Sequence, residues 1–361
     1  MIKIKNKFLL ILFLSLVHTY SWETSSAQSL VDQSIEELYN YDLNKSLSTL
    51  DSAFVLDSAH PLIPFLQTSV LWLKIQMTEG YESSYKQIEE SLIEYIPYYK
   101  RMIKQNSENI EYKLYLGELF GLESRIALAK NQWFKVFISS IKGYRYINEV
   151  YTNDPYLLDA LMPIGIISFY TCNSNVFIKS SAKIFGINTD CEFGLDLLEK
   201  ASTESYYSWV ESSNVLSHIY LYLLKDFESS LQKSTLLVEK FPNHPFFIFL
   251  KAESLLKLKR YDEFIKIRPK LVELENFNSK IIKDECALKL QYLDALYMFS
   301  QNNYNDTIKN CTKIIQGYNM EFDWLLILTR MLRAESYLKI EDMEKAKKDF
   351  KIISKMDSKY P

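Results

Sequence analysis

The chain has 361 residues, of which 48% are hydrophobic and 14% aromatic, and its formal net charge is −3. Only 8 Gly and 9 Pro occur, and this scarcity of turn residues favours long helices over many short strands. Neither a GxGxxG nor a GxxxxGK[ST] phosphate-binding loop is present, and the acidic balance disfavours nucleic acid. We therefore expect an all-α protein with no cofactor and no nucleic-acid partner.

The first 27 residues have the layout of a secretory signal peptide. Lys3, Lys5 and Lys7 precede the apolar run 8–17, and small residues before Gln28 offer a cleavage site. The alternative is an uncleaved anchor, but a spanning helix needs about 20 apolar residues and this run has ten. Cleavage leaves 39 basic and 44 acidic residues, a net charge of −5. We expect export to the periplasm or cell surface of a bacterium, with no integral membrane segment after cleavage.

Residues 28–170 predict a loose array of helix pairs. Turn residues at Gly80 and Asn131 and a stop before Pro155 divide this region. Apolar residues at helical spacing favour helices near 42–56 and over 66–77, 85–105, 114–129, 133–151 and 157–170. The last of these is very apolar but too short to cross a bilayer, so we expect it to be buried.

Residues 171–200 are expected to form an irregular central connection, with a helix resuming at 193–201. Cys172 and Cys191 flank its polar stretch. Export permits disulfides, so these two residues either pair with each other or remain as buried thiols. Cys286 and Cys311 are predicted to lie too far apart to pair, because their positions in the repeat are offset by about nine residues, or ~13 Å along a helix.

Residues 201–361 contain a repeated sequence motif. The sequence AESLLKL at 252–258 returns as AESYLKI at 334–340, 82 residues later. Four residues open the second helix of each unit, at intervals of 34, 43 and 39: Phe227, Tyr261, Tyr304 and Met343. Nine residues before each opener, where two helices approach closely, lie His218, Ala252, Ala295 and Ala334. Repetition at this period is typical of stacked helix pairs, and we expect four pairs in one superhelix continuous with the N-terminal array.

These units resemble the tetratricopeptide repeat (TPR). Residues 327–358 match the family's pattern best, and the 34-residue step between the first two openers is the family's own period. Phe264 and Thr307 depart from the pattern, because each replaces a small Ala, and Pro269 is expected to kink a second helix. The positions that carry the match are Ala334, Tyr337, Met343, Ala346 and Phe350.

The middle of the chain is similar to two groups of TPR proteins. The run LGELFG at 116–121, the helix after Trp133 and the motifs at 154–160 and 169–170 resemble exported bacterial TPR proteins of unknown function. The stretches 183–186 and 192–198 are similar to the eukaryotic inclusion-body-clearance TPR family. This resemblance covers roughly residues 110–245. It implies a TPR-type superhelix with a modified central unit and carries over no activity or substrate.

In TPR proteins the first helix of each pair lines a concave groove, and the resemblance implies the same here. Aromatic rings give contact area at low entropic cost, and interleaved charges can set the register of an extended peptide. The alternative for each ring is packing between neighbouring helices. The predicted peptide-binding positions are Tyr222, Phe246, Phe249, Glu253, Leu256, Lys257, Tyr292, Phe299, Glu335 and Lys339.

No catalytic or metal-binding pattern stands out. There is no HExxH and no GxSxG, and no pair of the four His residues lies one helical turn apart. The main hypothesis is therefore a non-enzymatic scaffold or adaptor that binds a protein or peptide. One alternative is an enzyme on a helical toroid that uses carboxylates. The other is an envelope polysaccharide binder that uses the rings of Trp72, Trp133, Trp209 and Trp324.

Overall fold

The computed structural model describes residues 26–320 and 323–356, and this part of the chain contains 17 α-helices and no β-strand. Successive helices pack as consecutive pairs, which confirms the predicted all-α solenoid. Most of the predicted signal peptide, residues 1–25, lies outside the described residues. The first helix begins at Ser26, so the expected cleavage point before Gln28 falls in its first turn.

Nine helices form the first half, and eight form the second. The first half comprises α1 (Ser26–Tyr39), α2 (Leu43–Leu56), α3 (Ile63–Glu79), α4 (Tyr81–Gln105), α5 (Glu111–Ala129), α6 (Trp133–Asn153), α7 (Leu161–Cys172), α8 (Val176–Ile184) and α9 (Cys191–Glu204). The second half comprises α10 (Trp209–His218), α11 (Phe227–Lys240), α12 (Phe247–Lys257), α13 (Tyr261–Glu273), α14 (Lys280–Ser300), α15 (Tyr304–Gly317), α16 (Trp324–Lys339) and α17 (Met343–Ile353).

The four repeat openers each begin the second helix of a C-terminal pair, namely α11, α13, α15 and α17. Ala252, Ala295 and Ala334 are all fully buried, because the paired helices meet at these small side chains. Phe264 and Thr307 are fully buried as well, so the helix pairs accommodate these larger side chains in place of Ala. Pro269 lies within α13, which continues past it to Glu273.

Six of the pairs share one kind of turn. Each turn passes through a single residue in the left-handed region. In five of the six, the turn at Lys225 being the exception, the following N–H returns to a carbonyl five residues earlier, in bonds such as Gln132 N to Ala127 O at 2.8 Å and Arg260 N to Leu255 O at 2.8 Å. This arrangement closes the end of the first helix and reverses the chain. The left-handed residues, with φ of 57° to 65°, are Tyr41, Asn131, Lys225, Lys259, Asn302 and Glu341.

Residues 171–200 are more ordered than predicted. The short helix α8 occupies much of the polar stretch and is capped by Asn175, whose side chain accepts a hydrogen bond from Ile178 N at 3.1 Å. Nine residues give too few turns for a periodic signal, which explains why the sequence did not indicate this helix. Cys172 and Cys191 form a disulfide with their Cα atoms 5.3 Å apart. The disulfide joins the end of α7 to the start of α9, and α8 lies in the loop between them.

Glycines bring two helix pairs into backbone contact. A Cβ added to Gly143 on α6 would lie 2.9 Å from the carbonyl oxygen of Gly117 on α5. A Cβ added to Gly194 on α9 would lie 2.6 Å from the backbone nitrogen of Phe169 on α7. Both gaps are too small for a side chain, so these glycines fix the close approach of α5 to α6 and of α7 to α9.

The superhelix closes on itself, because the first helices pack against the second half. The ring centroid of Tyr39 at the end of α1 lies 5.1 Å from that of Phe241. Tyr41 meets Phe277 edge-on with their centroids 5.9 Å apart. At the end of α3, the carbonyl oxygen of Met77 accepts a hydrogen bond from Ser279 on the second half at 2.6 Å. The first helices, α1 and α3, therefore pack across the inner face on which the sequence predicts a concave groove.

Candidate binding chambers

Closure leaves two adjoining chambers in the interior. The aromatic chamber, of about 270 Å³, lies between α3, α10, α12, α14 and α16. The carboxylate chamber, of about 480 Å³, lies between α1, α3, α5 and α10. Trp72, Gln76 and His244 line both. Each chamber is thus built from helices of both halves and depends on the closure of the superhelix.

The predicted groove residues divide between the aromatic chamber and other surroundings. Five of them line the chamber: Tyr222, Phe246, Phe249, Glu253 and Tyr292. The other five lie outside its walls: Leu256 is buried, Lys257 and Phe299 are half-buried, and Glu335 and Lys339 are exposed. The structure therefore brings the central part of the predicted set together and leaves its C-terminal part elsewhere.

Glu253 is a buried carboxylate in the wall of the aromatic chamber. It accepts hydrogen bonds from the hydroxyl groups of Tyr222 at 2.8 Å and Tyr292 at 3.1 Å. Burial raises the pKa of this carboxyl, while the charges of Lys257 and Lys289 and the two tyrosine hydroxyls oppose that shift. The three side chains form a connected polar group inside an otherwise aromatic wall.

Lys289 on α14 is one of the two cations that line the aromatic chamber, the other being Arg125, and sequence reasoning missed it. Its Nζ lies 3.9 Å from the ring centroid of Phe246 and 5.7 Å from that of Trp324. It also forms an ion pair with Glu285 at 2.8 Å. Lys289 lies three residues before Tyr292 on the same helix face, and this spacing is the signal that would have found it.

Two histidines line the aromatic chamber in their neutral form. Burial lowers the pKa of His218 to about 4, and its ring nitrogen Nδ1 donates to the carbonyl oxygen of Asn214 at 2.9 Å. Burial lowers the pKa of His244 to about 3, and its ring stacks on Phe247 with the centroids 3.5 Å apart. His218 is therefore a hydrogen-bonded histidine of the interior.

Two carboxylates in the carboxylate chamber are held by neutral donors. Asp159 accepts hydrogen bonds from the backbone N–H groups of Tyr207 at 2.8 Å and Ser208 at 2.6 Å. Glu211 accepts a hydrogen bond from the hydroxyl of Tyr39 at 2.9 Å. Neither of these contacts supplies a positive charge.

The third carboxylate of this chamber, Glu118, has no such support. It makes no hydrogen bond or ion pair with any residue in 26–320 or 323–356. Burial, together with the charges of Asp159 and Glu211, raises its pKa to about 7. Glu118 belongs to the LGELFG run at 116–121, and the resemblance carried by this run gave the glutamate no role.

The four tryptophans considered as sugar platforms are scattered. Trp72 and Trp324 line the aromatic chamber, while Trp209 stacks on Phe241 with centroids 5.8 Å apart. Trp133 lies on the outside and is 56% exposed. The Nε1 atom of Trp72 is buried and has no acceptor in the part of the chain that the structure describes. These rings form no continuous platform.

Comparison with protein-family models gives no match for this chain, and comparison with curated proteins gives none either. Within the described ranges no helix is both long and apolar enough to cross a membrane. The same residues contain no group of three or more His, Cys, Asp or Glu side chains placed to hold a metal ion. In the part of the chain that the structure describes, fold and site form an all-helical solenoid with two partly open chambers between its halves.

Proposed function

We propose that this chain is an exported, non-enzymatic binding protein of TPR type that captures a short protein segment in the aromatic chamber. The observation that carries the proposal is the convergence of Tyr222, Phe246, Phe249, Glu253 and Tyr292 on one chamber. The resemblance to TPR proteins supports a peptide ligand, because that family binds peptides on these inner helices. Export is supported by the signal-like N-terminus and by the disulfide, which is typical of oxidising compartments.

The mixture of rings and charges favours a peptide over a polysaccharide. The chamber carries Lys289 and Glu285 as an ion pair and Glu253 as a buried acid. A peptide offers an apolar side chain for the rings and backbone or ionic groups for these charges. A sugar site would instead favour exposed, contiguous Trp and Tyr rings with few charges.

The volume limits how much of a segment the chamber accommodates. About 270 Å³ lies just below the range of ordinary small-molecule pockets, which begins near 300 Å³. A chain end or one or two side chains fit this space, whereas an extended run along the inner face conflicts with the packing of α1 and α3. The proposed mode is therefore capture of a short anchor.

A matched pair of lysine variants tests the proposal. The mature chain is screened against a library of short peptides, and the selected peptides are titrated into Lys289→Met and Lys339→Met variants. Lys289 lines the chamber and Lys339 is exposed outside it. We expect at least tenfold weaker binding for Lys289→Met and less than twofold change for Lys339→Met. The reverse order, with both variants folded by circular dichroism, would refute the chamber as the peptide site.

A second candidate is a hydrolase that acts through the carboxylate chamber. Glu118 has a pKa raised to about 7, which suits a general acid, and Asp159 and Glu211 share its walls. Glycosidases pair a protonated carboxyl group with an ionised one. Turnover of aryl glycosides that disappears in Glu118→Gln would favour this candidate, and no turnover across a broad panel would favour the binding protein.

A further inference from the structure

We infer that the carboxylate chamber is a binding site for an organic cation, an ammonium or guanidinium group carried on an apolar body. This chamber is distinct from the aromatic one, and the inference holds whether or not a peptide binds there. It rests on the volume, the uncompensated negative charge and the aromatic walls of the chamber.

The charged side chains of the carboxylate chamber are all acidic. Glu118, Asp159 and Glu211 line it, and no Lys or Arg is found among the described residues of its walls. Asp159 and Glu211 receive hydrogen bonds from neutral groups, and Glu118 receives none. Glu118 is half-buried, and a carboxylate that is withdrawn from water without a partner is costly. A bound cation would relieve this cost, because it supplies the charge that the protein lacks at this place.

The walls suit a cation with an apolar body. The rings of Phe65, Trp72, Tyr115 and Tyr207 line the chamber together with leucine and isoleucine side chains. Phe65 and Tyr115 stack with their centroids 5.8 Å apart. Aromatic faces attract ammonium and guanidinium groups, and cages of this composition recognise organic cations. The chamber, with a total volume of about 480 Å³, provides room for the body of the ligand.

The carboxylates do not form a compact metal-binding group within the described ranges. A calcium ion needs oxygen ligands at about 2.3–2.6 Å from one centre. Carboxylates spread over the walls of a large chamber instead match a charge that is carried by a bulky molecule.

Binding is expected to depend on pH through Glu118. Asp159 and Glu211 also face the chamber, whereas its tyrosines and histidine are neutral near pH 7, because burial raises the pKa values of Tyr39, Tyr41, Tyr115 and Tyr207 and lowers that of His244. A cation binds the ionised form of Glu118, whose pKa in the free protein is raised to about 7. Affinity should therefore rise between pH 6 and pH 8 by up to about tenfold.

The experiment titrates defined probes into the mature chain by calorimetry. The first pair is 2-phenylethylamine, a small amphiphilic cation at this pH, against the neutral 2-phenylethanol. The second pair is a blocked Phe-Lys dipeptide against its norleucine analogue. The first pair tests a small amine, and the second tests a lysine side chain as the source of the cation. We expect the cationic member of at least one pair to bind at least tenfold more tightly than its neutral partner.

Two variants on the same helix distinguish binding at Glu118 from a general effect of removing a negative charge. Glu118→Gln keeps the shape of the side chain and removes its charge, so binding should weaken at least tenfold and lose its pH dependence. Glu123→Gln is the matched control, because Glu123 lies outside the chamber and accepts a hydrogen bond from Ser139 at 2.7 Å. It should bind as the wild type does. A Tyr222→Phe variant of the aromatic chamber should also bind these probes normally.

Three outcomes would overturn the inference. The first is equal binding of the charged and neutral members of both pairs, or no binding of any cationic probe at millimolar concentration. The second is unchanged binding by Glu118→Gln. The third is Glu118-dependent binding of calcium chloride alone, which would assign the carboxylates to a metal ion. Failure of the peptide proposal would appear separately, in the Lys289→Met titration.

Discussion

Replacing Glu118 by Gln should stabilise the protein above neutral pH and leave it nearly unchanged in acid. Burial in the carboxylate chamber raises the pKa of this carboxyl from an ordinary 4.5 to about 7, with Asp159 and Glu211 adding to the rise. The folded chain therefore binds the proton more tightly than the unfolded chain. Between about pH 4.5 and pH 7 the free energy of unfolding falls as the pH rises, and above about pH 7 this loss is complete.

The size of the effect follows from the shift. A change from 4.5 to about 7 corresponds to about 3 kcal/mol at 1.36 kcal/mol per unit. Glutamine has no charge to bury, so the variant should gain up to about 3 kcal/mol over the wild type at pH 8 and show no such gain at pH 4.5. His218 and His244 act in the opposite direction in acid, but they are present in both proteins and cancel in the difference.

Urea denaturation followed by circular dichroism measures the free energy of unfolding of the variant and the wild type at pH 4.5 and pH 8. The prediction concerns how the difference between the two proteins changes with pH. Hydrogen exchange of the α5 amide protons gives the same free energy locally, which matters because repeat arrays need not unfold in one step. The control is Glu204→Gln at the exposed end of α9, which should show no pH-dependent gain. A gain at pH 8 below about 1 kcal/mol, or an equal gain at both pH values, would refute the buried and unpartnered state of Glu118.

Three further predictions concern packing, acid stability and the disulfide. Gly143→Ala should cost about 1–3 kcal/mol by overpacking, because its Cβ would lie 2.9 Å from the backbone oxygen of Gly117. A Cβ added to Gly121 meets nothing within 4 Å, so Gly121→Ala should stabilise the protein by about 0.5–1 kcal/mol. Urea denaturation midpoints of the two variants test both expectations. Burial lowers the pKa of His218 to about 4, so the folded state loses stability as the pH falls from about 6.5 to 4. His218→Gln removes this imidazole and should reduce that loss. Acid titration followed by circular dichroism checks this. Reducing the Cys172–Cys191 disulfide should cost about 3 kcal/mol and expose the loop to limited proteolysis, and intact peptides under reduction would contradict this.

The repeat in the sequence was sufficient for the architecture of the second half. The four openers and the small residues nine positions earlier report on contacts between helices that are close in the chain. Such contacts follow from periodicity and side-chain size alone. The shared left-handed turn was not predicted, because residues such as Lys225, Lys259 and Glu341 lack the glycine or asparagine that usually marks this conformation.

The site was only partly accessible from the sequence. The alignment placed Glu253 and Tyr292 on inner helices, and both line the aromatic chamber. It gave no reason to connect Glu118 on α5 with Glu211 on α10, because nothing in the local pattern of either helix depends on the other. Their meeting in one chamber is a consequence of how the two halves are placed.

That placement depends on contacts over very long separations. The hydroxyl of Tyr39 reaches Glu211 across 172 residues, and Lys240 reaches Glu36 across 204. The curvature of a solenoid is the sum of small rotations from each helix pair to the next. The sequence of a single repeat therefore does not predict the overall curvature. Sequence determined that these helices pair and which faces they bury. Only the accumulated rotation decided that the first helices return to cover the interior and create two chambers.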